Sequence, residues 1–231
     1  APVSAEALLI PAERSRCAWV YLTTPVRNRR SRRIYHVAKR ALDILLVIAT
    51  APLWLPLVVL GYFAVKIENP RAPGFFTQYR TGLNGHRFKM YKLRTMVPDA
   101  EARLAALMHL NGRAGNHFKL ARDPRVTPVG RWLRWLYLDE LPQLINVLAG
   151  HMSLVGPRPT STKPEAFALW QTERLEMPPG LTCLWQIEQD RFPAFADRMR
   201  LDILYGRRSS LVLDLKILAR TVCYLGKGRG S

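Results

Sequence analysis

The chain has 231 residues, enough for one domain with a hydrophobic core, and its 35 Lys and Arg against 17 Asp and Glu give a net charge of +18. Because 48% of the residues are also hydrophobic, the composition excludes a disordered basic tail and favours a protein at an anionic membrane surface. The three cysteines, at positions 17, 183 and 223, and the five histidines show neither a disulfide framework nor metal-ligand spacing. Residues 1–26 lack the pattern of a secretory signal.

Residues 1–34 are predicted to form a basic N-terminal extension. It ends in a cluster of five arginines within residues 27–33. Such a cluster binds anionic lipid headgroups, and each residue near the surface contributes about 1 kcal/mol. The alternative is a solvated basic tail.

Residues 35–70 contain an apolar segment without a charged residue, from Ile44 to Val65. The segment is long enough to cross a bilayer, which takes ~20 residues. However, Pro52 and Pro56 interrupt its helix. Basic residues also flank both ends of the segment, and because basic flanks prefer the cytoplasmic side, both ends are expected on the same side of the membrane. We therefore predict a re-entrant membrane helix that enters one leaflet, breaks at Ala51 and Pro52, and returns. An ordinary membrane span and a buried core helix are the alternatives.

Two polar residues beside this break have predicted local roles. The hydroxyl of Thr50 can satisfy a backbone carbonyl that the break leaves free. Asp43 would be costly at the bilayer centre, so we expect it at headgroup depth beside Lys39 or Arg40.

Alternating residues around Asn84-Gly85 predict a β-hairpin with aromatic and basic faces. Its strands lie within residues 74–80 and 86–92, and the Asn-Gly pair favours a hairpin turn because such turns need positive φ at both central positions. Interleaved basic and aromatic side chains also occur in proteins that bind single-stranded nucleic acid. The adjacent membrane segment argues against that use, and no nucleic-acid partner is expected.

Three further helices are predicted. Residues 97–117 are rich in Ala and Leu, and the segment Leu211–Leu225 is also helix-like. The short apolar segment Arg131–Leu136 carries paired Trp and Arg residues, which suit the headgroup layer, where aromatic rings and cationic tips settle together. The alternative to an interfacial helix is a surface helix packed on a soluble core.

Asp139 and Glu140 are adjacent carboxylates between apolar residues, followed by Pro142. Asp139 fits the N-cap of a helix, Glu140 favours the helix dipole, and proline is tolerated in a first helical turn. The other interpretation is a nucleophile beside a metal ligand. Spacing alone favours the cap, but the residues leave both interpretations open.

A stiff loop follows, in which Gly156, Pro157 and Pro159 surround Arg158. A guanidinium that is held in one direction is a good phosphate ligand. An isolated loop arginine, in contrast, is usually only solvated.

A series of blocks follows one another along the chain in a fixed order. The blocks are Lys39-Arg40 with Asp43, the proline-broken apolar helix, Tyr91–Met96, Asp123–Thr127, Gly130–Arg134, Leu138–Leu144, Met152–Pro159 and Pro179–Thr182. Together, over about residues 35–225, they resemble the bacterial sugar transferase family, the monotopic phosphoglycosyl transferases that start lipid-linked glycan assembly.

The resemblance implies an α/β fold rich in helix, with the hairpin, the re-entrant helix and interfacial amphipathic helices. Residues 71–231 would form a catalytic domain on the cytoplasmic face of the bacterial inner membrane. The implied reaction moves a sugar 1-phosphate from a UDP-sugar to polyprenyl phosphate and releases UMP.

By the same resemblance, Asp139 is the nucleophile that forms a phosphosugar-aspartyl intermediate, and Glu140 binds Mg²⁺. Anionic lipids are expected partners, and the choice between monomer and homodimer stays open. A membrane-attached basic binding protein without catalysis, and a phosphotransferase for another nucleotide-activated donor, are the alternative functions. The implied substrate-binding residues, which position phosphates, are Lys92, Arg94, Arg134 and Arg158.

The chain departs from the family pattern at a few positions. Leu93 and Thr95 stand where Phe and Ser are usual, Cys183 stands where Gly is common, and Glu188–Arg191 replaces a turn like Ser-Gly-Arg. The last two departures concern the C-terminal loop and sugar recognition, whereas the carboxylate pair is intact.

Overall fold

The computed structural model describes residues 29–107, 123–187 and 194–225, which are mainly helical with two two-stranded sheets. This confirms the predicted helix-rich α/β fold. The predicted extension up to residue 28, the end of the predicted 97–117 helix and residues 188–191 lie outside the described residues. The helices are α1 (Arg29–Ala49), α2 (Ala51–Glu68), α3 (Ala100–Leu107), α4 (Pro128–Trp135), α5 (Gln143–Leu148), α6 (Phe195–Arg208) and α7 (Leu211–Leu225). The strands are β1 (Phe75–Thr81), β2 (Arg87–Leu93), β3 (Ser153–Val155) and β4 (Gly180–Thr182).

Helices α1 and α2 divide at Thr50, next to the predicted break at Ala51 and Pro52. Thr50 has φ −92° and ψ 0°, and its hydroxyl donates at 2.7 Å to the carbonyl of Leu46. That carbonyl also accepts from the backbone N–H of Thr50 at 3.0 Å, so it is not one that the break leaves free. Pro52 lies in the first turn of α2, where its missing N–H costs no helical hydrogen bond. The position of the break thus agrees with the sequence, while the path of the chain through a membrane stays a prediction.

Helix α2 is the one described helix that is long and apolar enough to cross a membrane. Its 18 residues extend over about 27 Å at 1.5 Å per residue. Its large side chains are mostly exposed on the protein surface: Leu53 is 71% exposed, and Leu60 and Phe63 are exposed as well. So much exposed apolar surface does not fit the buried core helix that was one of the alternatives.

Both helices nevertheless return to one hydrophobic core. Tyr35 of α1 and Val65 of α2 are buried in the same cluster as Leu133 of α4. Residues 44–57, on either side of the break, are mostly exposed instead. The two ends of the helix pair that are farthest from Thr50 are therefore anchored in a single domain.

Asp43 lines one cavity with Lys39 and Arg40 but forms no ion pair with either, and its depth in a membrane stays a prediction. Its carboxylate is buried and accepts hydrogen bonds from the hydroxyl of Ser153 at 2.7 Å and the backbone N–H of Leu154 at 3.2 Å. Lys39, one helical turn earlier, binds Asp214 of α7 at 3.0 Å. Strand β3 thus supplies neutral donors to Asp43, and α7 supplies the counter-charge for Lys39. Because both partners are distant in sequence, the local sequence predicts neither contact.

Strands β1 and β2 form the predicted hairpin, in antiparallel register from Phe75 opposite Leu93 to Thr81 opposite Arg87. Asn84 and Gly85 have φ values of 53° and 80°, the positive values expected at the turn. The second sheet is parallel, with Ser153 of β3 paired with Gly180 of β4 and Val155 with Thr182. This sheet anchors the loop that carries Arg158.

Helix α4 lies directly on the backbone that follows β2, because Gly130 leaves no room for a side chain. A Cβ at Gly130 would lie 2.1 Å from the carbonyl oxygen of Thr95. The helix is capped by Thr127, whose hydroxyl accepts from the N–H of Gly130 at 2.9 Å. The close approach fixes α4, and with it Arg134, against the segment after β2.

We expect Gly130→Ala to lower the free energy of unfolding by about 1–3 kcal/mol, because backbone must move to admit the methyl group. The matched control is Gly206→Ala in α6, where the added Cβ would meet only Cγ of Met177 at 3.4 Å. That change should leave stability unchanged or raise it by up to about 1 kcal/mol. Thermal melts of the two variants check this, and equal melting temperatures would contradict the close packing of α4.

Candidate active site

Asp139 and Glu140 lie in a short 3-10 helix, Leu138–Glu140, and not at the start of an α-helix. Tyr137 before it has a left-handed φ of 57°, and α5 begins only after Pro142. The N-cap interpretation of Asp139 is therefore wrong, because Pro142 occupies the position before the helix. The two carboxylates lie in a tight turn, and the side chains around that turn determine their pKa values.

The turn is held by elements that come from distant parts of the sequence. It packs against α2, β2 and α4, and Leu138 and Leu141 on its two sides contact the hydrophobic core. Helix α5 is fixed to β2 by Asn146, which accepts from the N–H of Tyr91 at 3.0 Å and donates to the carbonyl of Lys89 at 2.7 Å. The carboxylates thus sit on a rigid frame.

Glu140 is bound by two of the predicted basic residues. Its Oε1 accepts from Nζ of Lys92 at 2.7 Å and from Nη2 of Arg158 at 2.8 Å. Burial raises the pKa of Glu140, but the charges of Arg158 and Lys92 more than offset this, and the pKa lies well below its ordinary value. Glu140 is therefore ionised throughout the physiological range.

Asp139 is in the opposite situation. It is only 8% exposed, and its carboxylate has no hydrogen-bond partner among the described residues. Burial raises the pKa of Asp139 to about 6, against the charge of Lys92, which lowers it, while the charge of Glu140 raises it further. The pair therefore combines a permanently ionised carboxylate with one that titrates just below neutral pH.

The other two predicted basic residues, Arg134 and Arg94, have hydrogen-bond partners other than Glu140. Nε of Arg134 donates to the hydroxyl of Thr95 at 2.9 Å, and its charge lowers the pKa of Asp139. Arg94 donates to the carbonyl of Pro73 at 2.8 Å and lies over the ring of Phe76 at 5.6 Å. The structure thus brings Lys92, Arg134 and Arg158 together around the carboxylates, whereas a role for Arg94 in substrate binding stays a prediction.

Sequence reasoning missed Arg80, which β1 contributes to the same site. Its Nε is buried and has no hydrogen-bond partner in the described part of the chain. Burial and the nearby charge of Arg158 lower the pKa of Arg80 to about 10, and Glu140 raises it. The sequence feature that could have indicated Arg80 is the alternation along the strand, which places Gln78 and Arg80 on one face of the hairpin. The sequence alone does not say which face meets Arg158.

Cys183, one of the departures from the family pattern, is buried beside this site. Its thiol donates to Oε1 of Gln186 at 3.2 Å, and burial raises its pKa. The substitution is accommodated inside the domain, where the thiol is unionised.

The chemistry of the carboxylates fits Mg²⁺. One oxygen of Glu140 is taken by cations, but Oε2 and the carboxylate of Asp139 have no hydrogen-bond partner among the described residues. No group of three or more potential metal ligands occurs within these residues. Mg²⁺ is commonly held by one or two carboxylates together with substrate phosphates and water, so Glu140 suffices as its protein ligand.

Comparison with known proteins supports the family that the blocks suggested. The family model for bacterial sugar transferases matches residues 34–228. The chain belongs to the bacterial sugar transferase family. The prediction of a sugar-phosphate transferase is thereby confirmed at the level of the family.

Three relatives illustrate the range of this family. Galactosyl transferase CpsE of Streptococcus agalactiae is 40% identical over 201 residues, 84% of this chain and 43% of the relative. Exopolysaccharide production protein ExoY of Rhizobium meliloti is 38% identical over 200 residues, 84% of this chain and 88% of the relative. UDP-glucose:undecaprenyl-phosphate glucose-1-phosphate transferase of Caulobacter vibrioides is 39% identical over 199 residues, 80% of this chain and 68% of the relative. This sugar transferase thus spans less than half of CpsE but most of ExoY.

The opposed pKa values of the pair in this sugar transferase can be tested by titration. We expect Asp139 to titrate near pH 6, because burial disfavours its ionised form. Glu140→Gln should lower this pKa by removing a neighbouring negative charge, and Lys92→Met should raise it by removing a positive one. Carboxyl ¹³C NMR of Asp-labelled protein measures all three.

Lys89→Met is the control for this titration, since Lys89 lies on the same strand but is exposed and faces the ring of Tyr79 at 5.7 Å. Its removal should leave the titration of Asp139 unchanged. A shift of the same sign in the Glu140→Gln and Lys92→Met variants would contradict the arrangement.

Proposed function

We propose that this protein transfers a sugar 1-phosphate from a UDP-sugar to polyprenyl phosphate, through a covalent phosphosugar-Asp139 intermediate, with release of UMP. This would be the first membrane step in the assembly of an exopolysaccharide or another glycan. The observation that carries the proposal is the pair itself: a buried carboxylate with no hydrogen-bond partner in the described part of the chain, next to a carboxylate bound by two cations. The name of the Caulobacter transferase supports the substrates, and that of ExoY supports the pathway class.

Two steps through Asp139 avoid a difficulty of direct transfer. Donor and acceptor are both anionic phosphates, so their direct encounter would place like charges together. In the first step, an oxygen of Asp139 attacks the β-phosphorus, the bond to the bridging oxygen breaks, and UMP leaves with the bond's electron pair. In the second step, an oxygen of polyprenyl phosphate attacks the same phosphorus, and the carboxylate of Asp139 leaves unchanged.

The state of Asp139 suits this role. At neutral pH a carboxylate with a pKa of about 6 is mostly ionised, as a nucleophile must be. It is also nearly free of water, so little solvent has to be removed before it approaches phosphorus. The ionisation of Asp139 is set by a balance between burial and the charges of Lys92 and Arg134.

The cations around the pair would bind the diphosphate of the donor. Lys92 and Arg158 converge on Glu140, and Arg134 lies close enough to Asp139 to lower its pKa. Charge-assisted hydrogen bonds from such groups stabilise the charge that moves onto UMP as the bridging bond breaks. Glu140 would hold Mg²⁺, which supplies further neutralisation of the diphosphate.

We expect Asp139→Asn to abolish UMP release, with a loss of at least about 1,000-fold, because an amide cannot form the intermediate. Its melting temperature should not fall, because the change removes a buried charge to which no described residue donates a hydrogen bond. The assay supplies purified protein with Mg²⁺ and a panel of UDP-sugars, with and without polyprenyl phosphate. Donor alone should give a phosphosugar adduct on Asp139, detectable by intact-protein mass spectrometry.

Retained UMP release in the Asp139→Asn variant would contradict the nucleophile. Absence of UMP release by the unaltered protein with every UDP-sugar would favour the non-catalytic binding protein or a different donor. The panel also identifies the sugar.

We further propose that α1 and α2 form the re-entrant membrane hairpin, with the catalytic domain on the cytoplasmic face. Both outer ends of the pair pack in one domain, and the residues around Thr50 are apolar and exposed. On α4, Trp132 and Trp135 are also exposed, which suits a helix in the headgroup layer. Anchored in this way, the carboxylate pair would meet the phosphate head of the lipid acceptor.

Cysteine labelling tests this topology. In a background with Cys17, Cys183 and Cys223 replaced, Arg33→Cys and Arg71→Cys should both react with an aqueous maleimide from the cytoplasmic side only. Leu53→Cys, although 71% exposed on the protein, should be protected when the protein is in membranes and react in its absence. Labelling of the two arginine positions from opposite sides would show an ordinary membrane span.

A further inference from the structure

We propose that Arg174 and Asp202 are positioning residues, whose buried ion pair fixes the backbone of Arg158 so that its guanidinium reaches Glu140. The proposal rests on the proposed function, since it assigns a task within that site. Neither residue belongs to the blocks that carry the family resemblance.

The pair lies beneath the site and contacts the Arg158 loop directly. Arg174 and Asp202 are 2% and 1% exposed, and Oδ2 of Asp202 accepts from Nε and Nη2 of Arg174 at 3.1 and 2.7 Å. The same Nη2 also donates to the backbone carbonyl of Arg158 at 2.6 Å. One guanidinium therefore joins α6, which carries Asp202, to the loop that carries Arg158.

This contact is one of three that hold carbonyls within residues 157–160 of the loop. The carbonyl of Pro157 accepts from the N–H of Gly180 at 2.9 Å, and that of Thr160 accepts from the N–H of Thr81 at 3.0 Å. Of these three carbonyls, that of Arg158 is the one held by a side chain. From this fixed backbone, Nη2 of Arg158 meets Glu140 at 2.8 Å. Loss of the contact between Arg174 and the carbonyl of Arg158 would free the backbone of Arg158, whose guanidinium must reach Glu140.

Stability alone does not account for a charged pair at this position. Removing two charges from water costs several kcal/mol per ion, and well-packed apolar side chains are often as stable. Moreover, the second oxygen of Asp202, Oδ1, is buried without a partner in the described part of the chain, and burial raises the pKa of Asp202 to about 6. A pair this incompletely satisfied is a poor stabiliser, but it does provide a donor for the Arg158 carbonyl.

The structure offers a matched control between the same two elements. Arg207 of α6 binds Glu173, the neighbour of Arg174, and the described hydrogen bonds and ion pairs of Arg158 include neither residue. If the role of Arg174 were only to attach the segment Leu169–Glu176 to α6, disruption of either ion pair would have the same effect on activity.

The test replaces each pair with uncharged residues and measures steady-state UMP release at varied UDP-sugar, with the lipid acceptor present to regenerate Asp139. Arg174→Met with Asp202→Leu should keep the melting temperature, because apolar groups replace a buried pair, but should lower kcat/KM for the UDP-sugar about 10- to 100-fold. The control, Arg207→Gln with Glu173→Gln, should leave kcat/KM unchanged. Unaltered activity in the first double variant at normal stability would overturn the proposal. If that variant does not fold, the isosteric Asp202→Asn is measured by the same criterion.

A double-mutant cycle with Arg158→Gln separates positioning from a general structural effect. If the pair acts through Arg158, its replacement should cost little further activity in the Arg158→Gln background; if the losses add in full, the pair does not act through Arg158. The two hypotheses also fail separately. Normal UMP release by both Asp139→Asn and Arg158→Gln would refute the proposed function, whereas loss in these variants with full activity in the Arg174/Asp202 variant would refute only the positioning role.

Discussion

The structure of the site depends on the contact between Glu140 and two cations that are far apart in sequence. Lys92 lies 48 positions before Glu140 and Arg158 lies 18 positions after it, and both bind the same carboxylate oxygen. Because the charge of Glu140 is balanced in this way, Asp139 can be buried next to it and still ionise at neutral pH. Without the two cations, burial and the adjacent negative charge would both keep Asp139 protonated.

The same elements that form the site also bind the apolar helix. Gly61 of α2 packs against Leu93 and Leu133, and a Cβ at this glycine would lie 2.5 and 3.3 Å from their side chains. Leu93 is the neighbour of Lys92 at the end of β2, and Leu133 precedes Arg134 in α4. In each case one residue contacts α2 and the next contributes its charge to the carboxylates. The position of the site relative to the apolar helix is therefore fixed by adjacent residues in two elements.

Features that depend on local chemistry could be predicted from the sequence, and features that depend on distant partners could not. The turn at Asn84-Gly85, the break beside Pro52 and helix Leu211–Leu225 follow from backbone preferences and patterning within a few residues. The local pattern of Asp139 predicted a cap, but packing of Leu138 and Leu141 imposes a 3-10 turn instead.

The arginines of the hairpin show the same limit. The family resemblance implied Arg94 as a site residue and gave no role to Arg80. In the fold, Arg80 faces Arg158, while Arg94 binds the carbonyl of Pro73. Which arginine joins the site depends on which face of the hairpin meets the Arg158 loop. That face is determined by the pairing of Thr81 with Thr160, and not by the sequence of the strand.

Ionisation of Glu140 stabilises the fold, whereas ionisation of Asp139 destabilises it. This difference indicates which of the two residues has been selected for a task other than stability. The pKa of Glu140 is lowered on folding, so its contribution to stability is present above the ordinary carboxylate pKa and is lost as pH falls. The pKa of Asp139 is raised, so the folded state is most favoured when Asp139 is protonated, and that advantage is lost as pH rises through about 6. At neutral pH the fold therefore keeps Asp139 ionised at a cost in stability. A residue whose only task was structural would gain nothing from this state, whereas a nucleophile requires it.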